Sequence, residues 1–460
     1  MQRFLIRASL AALAACDPFV YDDLLEGAWV TDFALRGPTQ RSVHSPVALT
    51  YPPLHNGVGH VLMVSRHDAS MVWFGLNEDA EMVPKYASLA ALHALISPIK
   101  DAQSAIARGL ARIPSPTTAG DPTQRALVAF ETNGNIEDSR VVQMVLPGFT
   151  RVHASQSEDI YTTRVNGAYV TGFGRGLAAI NLDAGQDDPN YEVIVGSDLG
   201  PMVFDNLSKH RGLYQEAKAV LAAEDPASVS GANEFQGRYF TLCEILNVTS
   251  LVAGHFLAEQ PVFVAAAQGG LSFIGADPDQ TKNRVGAPIY DCELAKIPAP
   301  AGATARFGQG SLVSDLNGDG MEDLAVGDPG SNQVHLYFYD PTTATLEAPP
   351  RTIVPSQSAK EFGAHIGRAD LGGKMGSVLV VGAPASKVDG VRNAGKVFVY
   401  DLAGQGLKTV LFDLTPQDGA RHGMWAGGVR GRKRDELVVI GAQDGRIHVA
   451  IADGDPHPGG

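Results

Sequence analysis

The stretch FGQGSLVSDLNGDGMEDLAVGDP, Phe307 to Pro329, combines two patterns that decide how this chain folds. Its apolar run, EDLAVGD from Glu322, has the length and residue types of a short buried strand and ends in a turn. The preceding residues, Asp315 to Asp323, place four acids and two glycines in nine positions. So much negative charge predicts a loop that needs a cation rather than a packed segment.

The apolar strand recurs seven times along the 460 residues, usually with a small turn and a second strand after it. The runs are HVLMVSR from His60, RALVAFE from Arg125, YEVIVGS from Tyr191, QPVFVAAA from Gln260, EDLAVGD from Glu322, GSVLVVGA from Gly376 and DELVVIGA from Asp435. Intervals of 54 to 69 residues leave room for four strands with generous loops. Because each sheet is buried only against its neighbours, closure into a ring removes unprotected ends. The sequence predicts an all-β, seven-bladed β-propeller of four-stranded antiparallel blades.

The two ends of the chain are predicted to meet in the last blade. The final unit ends at IHVAIADG, and only the tail 455–460 follows. The segment EGAWVTDFALRG, residues 26–37, can supply the missing fourth strand, which gives a propeller over residues 26–454. A six-bladed ring with an unrelated N-terminal piece is the alternative.

Two segments between the blades have apolar residues at helical intervals. They are PKYASLAALHALI, Pro84 to Ile96, and LSKHRGLYQEAKAVLAAED, Leu207 to Asp225. Both are predicted as short helical insertions, which either carry recognition on the scaffold or merely lengthen the connections.

The first sixteen residues, MQRFLIRASLAALAAC, have the layout of an export signal. Arg3 and Arg7 precede an apolar run that is too short to span a bilayer. LAAC, Leu13 to Cys16, resembles the bacterial lipobox. The resemblance implies a signal peptide at 1–15, an anchor and short linker at 16–25, and an extracytoplasmic protein held on a bacterial membrane by lipid on Cys16, facing the periplasm or the cell surface. An ordinary secretory signal that is cut elsewhere is the alternative.

Two segments carry a specific family resemblance. FGQGSLVSDLNGDGMEDLAVGDP and FGAHIGRADLGGKMGSVLVVGAP, Phe362 to Pro384, resemble the FG-GAP repeats of the integrin α-subunit propeller and its bacterial relatives. GFGRGLAAINLDAGQDDPNYEVIVGSD, Gly172 to Asp198, is a weaker match. The resemblance covers about a fifth of the chain and implies recognition of a protein or glycan. The remaining units share only the strand rhythm.

The acidic loop opens like an EF-hand but does not end like one. Gly320 stands at the sixth place, where the backbone turns around an ion. The twelfth place, which needs a bidentate Glu, is Val326 inside an apolar strand. The loop instead matches the shorter integrin-type calcium hairpin, which the resemblance places between the first and second strands of a blade.

The resemblance also implies the ligands of a Ca²⁺ ion. Asp315, Asn317, Asp319 and Asp323 would bind through their side chains and Met321 through its carbonyl. Hard oxygen ligands in flexible number favour Ca²⁺ over Mg²⁺, and the cation would relieve the repulsion between carboxylates. A solvated acidic turn without metal is the alternative.

Equivalent loops in three other units depart from this pattern. In the sixth unit Lys374 and Val378 replace the third and last side-chain ligands, so calcium is not expected there. In the seventh, Arg430 and Arg432 stand at ligand positions, either as fixed cations that replace part of the ion's charge or in a solvated basic turn. The third unit keeps Asp183, Asp187 and Glu192 at imperfect spacing and leaves a second ion open.

Two cysteines remain if Cys16 carries lipid. In an oxidising compartment Cys243 and Cys292 can form a disulfide, but sequence alone leaves two buried free thiols equally open.

Charge and motifs narrow the classes of function. A formal net charge of −14 without a long basic tract argues against nucleic acid as a partner. The chain has no GxSxG, HExxH, phosphate-loop or CxxC motif, so no catalytic residue is assigned. A lipid-anchored adhesion or binding module for a protein or glycan is the favoured function. A secreted propeller hydrolase or lyase acting on a polysaccharide or ester, and a structural subunit of the envelope, are the alternatives.

Overall fold

The computed structural model describes most of the chain between Trp29 and Ile451. The described residues are 29–34, 47–51, 60–64, 71–76, 82–87, 105–113, 124–132, 135–146, 150–151, 160–161, 164–165, 168–182, 191–204, 218–221, 239–258, 260–276, 290–371, 376–402, 406–411, 416–430, 435–440 and 446–451. Regular structure in these segments is entirely β, with 34 strands and no helix. The predicted signal peptide, Cys16 and the tail 455–460 lie outside them.

Seven sheets of four or five strands occur within the described residues. Sheet I contains β2 (Val47–Tyr51), β3 (His60–Val64), β4 (Met71–Leu76) and β5 (Met82–Ala87). Sheet II contains β6 (Ala105–Arg112), β7 (Gln124–Thr132), β8 (Asn135–Leu146), β9 (Thr150–Arg151) and β10 (Ile160–Tyr161). Sheet III contains β13 (Leu177–Ile180), β14 (Glu192–Val195), β15 (Met202–Phe204), β16 (Lys218–Leu221) and β17 (Tyr239–Leu242).

The C-terminal half continues this pattern. Sheet IV contains β18 (Val248–Leu257), β19 (Gln260–Ala267), β20 (Gly270–Ala276) and β21 (Tyr290–Pro298). Sheet V contains β22 (Ser311–Ser314), β23 (Asp323–Asp328), β24 (Gln333–Tyr337) and β27 (Arg351–Ile353). Sheet VI contains β28 (His365–Asp370), β29 (Ser377–Ala383), β30 (Lys396–Asp401) and β31 (Leu407–Leu411). Sheet VII contains β32 (Trp425–Arg430), β33 (Asp435–Ile440), β34 (Arg446–Ile451) and β1 (Trp29–Ala34).

Two small hairpins lie outside these sheets. They are β11 (Arg164–Val165) with β12 (Ala168–Tyr169), and β25 (Tyr339–Asp340) with β26 (Thr345–Leu346). The second projects from the end of β24 in sheet V.

The seven apolar runs found in the sequence supply the second strand of each sheet, β3, β7, β14, β19, β23, β29 and β33. The first strands contact one another in series: β2 with β6, β6 with β13, β13 with β18, β18 with β22, β22 with β28, and β28 with β32. β32 also contacts β2, so the last sheet lies against the first. The described part is therefore an all-β protein in which antiparallel sheets have a propeller-like arrangement.

Sheet VII joins the two ends of the described chain. β1 pairs antiparallel with β34, from Trp29 opposite Ile451 to Ala34 opposite Arg446. The pairing supplies an outer strand to a sheet that would otherwise end at β34.

Hydrophobic clusters lie between neighbouring sheets. Leu324 and Val326 of sheet V pack with Phe256 and Phe273 of sheet IV, and all four are at most 1% exposed. The next cluster joins Leu336 and Ile353 of sheet V to Leu379, Val381 and Phe398 of sheet VI. Because sheet V contributes to both clusters, its strands are apolar on both faces, as the sequence pattern indicated.

The Phe-Gly pairs of the sequence form the turns that enter the first strands. Phe307 is fully buried, and Gly308 takes a φ of 95° that only glycine adopts without strain. The Gly308 N–H donates to the Gly327 carbonyl at 2.8 Å, and the Gly327 N–H donates to Gly310 at 2.8 Å. Phe362 and Phe173 are buried in the same way, so the motif fixes the entry of the first strand in three sheets.

The predicted helical insertions differ from what the structure shows. Within Pro84 to Ile96, residues up to 87 belong to β5, which pairs with β4. Within Leu207 to Asp225, Lys218–Leu221 forms β16, which runs parallel to β17. A strand added at the edge of a sheet forms hydrogen bonds with the free N–H and C=O groups of the neighbouring strand. Short alanine-rich segments are compatible with either a helix or a strand. The rest of both segments lies outside the described residues.

Within the described segments, no helix is long and apolar enough to cross a membrane.

Candidate functional site

The acidic loop joins β22 to β23 at one edge of sheet V. We give the name loop edge to the side of the protein where this loop lies, at the C-terminal ends of the first strands. The name turn edge is given to the opposite side, where the Phe-Gly turns enter the first strands. Residues Asp319 and Gly320 are exposed, whereas Asp323 is fully buried at the start of β23. Gly318 and Gly320 have φ values of 85° and 88°, so the backbone reverses sharply within the loop.

The side-chain oxygens of the loop accept hydrogen bonds from its own backbone. Asp315 accepts from the N–H of Gly318 at 2.6 Å and of Gly320 at 3.1 Å. Asp319 accepts from the Met321 N–H at 2.8 Å and from the side-chain amide of Asn317, also at 2.8 Å. The loop residues thus converge on a compact turn with their oxygens held in place.

Asp323 anchors the loop to the sheet. Its two carboxylate oxygens accept from the N–H groups of Leu316 at 2.7 Å and Tyr339 at 2.8 Å. Burial raises the pKa of Asp323, the two hydrogen bonds lower it, and the charges of Asp319 and Asp315 raise it further, so that the pKa lies above its ordinary value. A nearby cation would stabilise the ionised form of this carboxylate.

The donor chemistry of the loop fits Ca²⁺. Carboxylate and amide oxygens of Asp315, Asn317, Asp319 and Asp323 lie within nine residues, and a carboxylate oxygen that accepts one N–H keeps a second lone pair. Added Cβ atoms at Gly318 or Gly320 would meet nothing within 4 Å, so the turn has open space around it. As arranged in the described residues, however, no group of three or more His, Cys, Asp or Glu side chains is close enough to hold a metal ion.

Neighbouring sheets contact both ends of the loop. Glu322 accepts hydrogen bonds from the backbone N–H of His255 at 2.8 Å and contacts its Nδ1 at 2.9 Å. On the other side, Arg368 donates to the Ser314 hydroxyl at 2.8 Å and to the Asp315 carbonyl at 3.3 Å. The loop is therefore tied to sheets IV and VI as well as to its own sheet.

The corresponding loops of other sheets are described only in part. In sheet III the buried Glu192 accepts from the Leu182 N–H at 2.6 Å, which is the counterpart of the bond between Asp323 and Leu316. Asp183 and Asp187 lie outside the described residues, as do Lys374 and Arg432. Asp370 ends β28, Val378 is fully buried in β29, and Arg430 ends β32.

The two remaining cysteines are joined. The sulfurs of Cys243 and Cys292 are 2.05 Å apart and their α-carbons 5.4 Å. Cys243 follows the last strand of sheet III and Cys292 lies in β21 of sheet IV, so the bond links neighbouring sheets.

The turn edge carries a charged group that sequence reasoning missed. The Glu361 carboxylate accepts hydrogen bonds from the side chains of Arg306, at 3.0 Å, and Arg421. These bonds join sheets V, VI and VII. Each of these residues immediately precedes a buried aromatic and a glycine with positive φ, which are Phe307-Gly308, Phe362-Gly363 and His422-Gly423. In the sequence, this group could have been found from the residue that precedes each Phe-Gly pair. Arg421 would have been included only if His422-Gly423 had been identified as the equivalent of such a pair.

A polar cavity of about 180 Å³ opens at the same edge between sheets III and IV. Its lining includes Arg175, Ser197, Asp198, Asn247 and Thr249. Arg175 forms an ion pair with Asp198 across it.

Comparisons with known proteins give a partial likeness. Integrin alpha-PS5 of Drosophila melanogaster is 38% identical over 92 residues, covering 18% of this chain and 8% of that integrin. The chain therefore matches only a small part of its relative's length. Two crystal structures of BBS1N in complex with ARL6DN, soaked with lead or mercury, align with TM-scores of 0.48 and 0.49 at 14% and 13% identity, over 93% of this chain and 96% of the solved chain. No family model matches.

The described part of the chain thus has an all-β, propeller-like architecture. In one limited region it is similar to an integrin α-subunit.

Proposed function

We propose that this protein is a seven-bladed β-propeller that binds a protein partner. The observation that carries the proposal is the series of contacts between first strands, which runs from β2 through β32 and returns to β2. Such a ring holds its loops on a rigid scaffold, where binding residues are commonly found. The integrin-like segment supports the same class of function.

Recognition is assigned to the turn edge. Residues of sheets III to VII present charged side chains there, including Arg175, Arg306 and Arg392. The backbones that carry them are fixed by the glycine turns, so a partner meets a surface that needs little ordering.

Calcium would act in this protein as a structural ion. The cation would be held by Asp315, Asn317, Asp319 and Asp323 together with the Met321 carbonyl, and it would offset the repulsion among the carboxylates. An ion that binds only the folded state stabilises that state by mass action. The ion's place at the loop edge separates it from the proposed binding surface.

Lipid on Cys16 would tether the protein outside the cytoplasm. The residue lies outside the described part of the chain, and the support is the LAAC sequence together with the disulfide between Cys243 and Cys292, since disulfides persist in oxidising compartments. A Cys16→Ala variant tests the tether. Release from the membrane fraction and loss of palmitate labelling are expected, and unchanged fractionation would contradict it.

The binding function is tested by photo-crosslinking in intact cells. A crosslinking amino acid is placed at Lys387 on the turn edge or, as the matched control, at the exposed Thr342 on the loop edge. A discrete adduct with one cellular protein is expected from Lys387 and none from Thr342. No adduct from either position, or equal adducts from both, would overturn the proposal.

A further inference from the structure

The two edges of sheets V and VI differ in charge. The loop edge presents Asp315, Asp319, Glu322, Asp340 and Asp401, all at least partly exposed, against two basic side chains, Arg368 and Lys408. The turn edge presents five basic side chains, which we call the basic patch: Arg306, Lys360, Lys387, Arg392 and Arg421. In a chain with a formal net charge of −14, this local concentration of positive charge is unexpected.

Contacts between neighbouring segments make the basic patch continuous. The Lys360 N–H donates to the Ser386 hydroxyl at 3.0 Å, which brings Lys360 beside Lys387. The Arg421 N–H donates to the Asn393 carbonyl at 2.8 Å, which brings Arg421 beside Arg392.

Three acids of the turn edge, Glu361, Asp389 and Asp418, neutralise the patch only in part, and Asp389 is exposed on the same loop as Lys387 and Arg392. Glu361, whose side chain is 16% exposed, lies between Arg306 and Arg421, so one carboxylate faces two guanidinium groups. Asp418 is 3.9 Å from Arg392, a distance too long for a direct hydrogen bond, and the Arg392 side chain is 81% exposed. The Nε of Arg306 also donates to Gln309 at 2.8 Å. Each guanidinium group carries five N–H donors, so a single carboxylate cannot satisfy those of both Arg306 and Arg421.

The loop that carries Lys387 and Arg392 is held in shape before any ligand arrives. Val388 and Val391 bond to each other in both directions, at 3.1 and 2.8 Å. The Gly395 N–H donates to the Ser386 carbonyl at 3.0 Å and closes the base of the loop. The backbone of the loop therefore needs little ordering when its side chains bind a ligand, and the guanidinium of Arg392 can bind a carboxylate with two parallel hydrogen bonds.

Apolar side chains on the same edge indicate the kind of ligand. Among the described residues, the exposed large hydrophobic side chains are Leu199, Leu246 and Val354. All three lie in connections at the turn edge, after β14, before β18 and after β27. An edge that carries both aliphatic and cationic groups suits a polypeptide, whereas a sugar polymer is better held by exposed aromatic rings, which combine an apolar face with a polar edge.

We infer that the basic patch docks an acidic polypeptide segment whose carboxylates bind Arg306, Lys387, Arg392 and Arg421 and whose aliphatic side chains contact Val354. The inference rests on the proposed binding function and specifies its surface and ligand. The acidic loop edge would repel the same segment, which restricts docking to the turn edge.

The test uses a synthetic peptide of Glu, Leu and Gly and the full chain. Binding is measured by fluorescence anisotropy for the unaltered chain and for a Lys387→Glu/Arg392→Glu double variant. The matched control, Lys296→Glu/Lys408→Glu, makes the same change of charge on outer strands of sheets IV and VI. Equal melting temperatures establish that each variant is folded.

We expect binding that weakens with salt and falls at least tenfold in the double variant but not in the control. Equal loss in both variants, no binding of the peptide, or equally strong binding of polygalacturonate would overturn this inference. Photo-crosslinking from Lys387 that persists when the peptide fails to bind would leave the binding function intact and reject only the acidic ligand.

Discussion

The carbonyl oxygen of Gly363 lies against the α-carbon of Gly327 in the preceding sheet, so closely that a methyl group on Gly327 would overlap it. Gly423 is placed in the same way against Gly382. The glycine turn of one sheet therefore rests on the second strand of the sheet before it. This contact explains why glycine occurs both in the turn and at the end of the second strand.

A Gly327→Ala variant should be destabilised, because its new methyl group overlaps the Gly363 backbone, which cannot rotate away. We expect a loss of about 1–3 kcal/mol in the free energy of unfolding, measured by urea denaturation. Gly269→Ala is the matched control, since its Cβ would meet nothing within 4 Å. Equal effects of the two substitutions would contradict the contact.

Loss of the disulfide should lower stability, because the bond closes a loop of 49 residues between sheets III and IV. The chain-entropy model gives about 4 kcal/mol for a loop of this length. A Cys243→Ala/Cys292→Ala variant should therefore melt at a lower temperature than the oxidised protein. Reduction with dithiothreitol should lower the melting temperature of the oxidised protein but not of the variant, and an equal response of both would exclude the bond.

Calcium should raise the melting temperature, and an Asp319→Ala variant should not respond to it. At a hundredfold excess over the dissociation constant the gain is about 2.7 kcal/mol. Asp340→Ala is the matched control, because Asp340 lies at the same edge and likewise accepts from a backbone N–H, that of Thr342 at 2.8 Å. A response retained in Asp319→Ala, or absent from the unaltered protein, would reject the site.

The same experiment has a pH dependence set by Asp323. The pKa of Asp323 in the folded state is raised above the ordinary value of 3.8. Protonation of this carboxylate therefore stabilises the folded state relative to the unfolded state. Without calcium, this contribution is full below pH 3.8 and is lost as pH rises through the raised pKa. Calcium favours the ionised carboxylate, so the gain in melting temperature on adding calcium should grow over this interval. A gain independent of pH would contradict the role of Asp323.

Protonation of His365 should lower the stability of the protein in moderate acid. Its ring packs 5.7 Å from Trp425, and Nε2 donates to the Ala426 carbonyl at 3.0 Å. Burial lowers the pKa of His365 from 6.5 to about 4, although the hydrogen bond to Ala426 opposes the shift. The stability it contributes is therefore present above pH 6.5 and is lost as pH falls toward 4.

The measurement is the urea midpoint at pH values between 4 and 7. A His365→Gln variant keeps a donor for Ala426 but does not titrate, so its midpoint should fall less steeply in this window. Parallel curves for the two proteins would show that His365 remains solvated.

Short patterns in the sequence were sufficient to find the second strands and the acidic loop. EDLAVGD and its six counterparts indicate strands because apolar side chains on both faces must be buried. Helical insertions were predicted over Pro84 to Ile96 and Leu207 to Asp225, but residues 84–87 and 218–221 lie in strands. Helical spacing over a few residues does not reveal that the free edge of a sheet lies nearby.

The sequence by itself determined which residues carry charge in the acidic loop and which positions require glycine, because both depend on local chemistry and backbone conformation. Tertiary structure alone decided that Cys243 meets Cys292, that Trp29 pairs with Ile451 and that Glu361 lies between two arginines of other sheets. These pairs are far apart along the chain, and their approach depends on the packing of whole sheets.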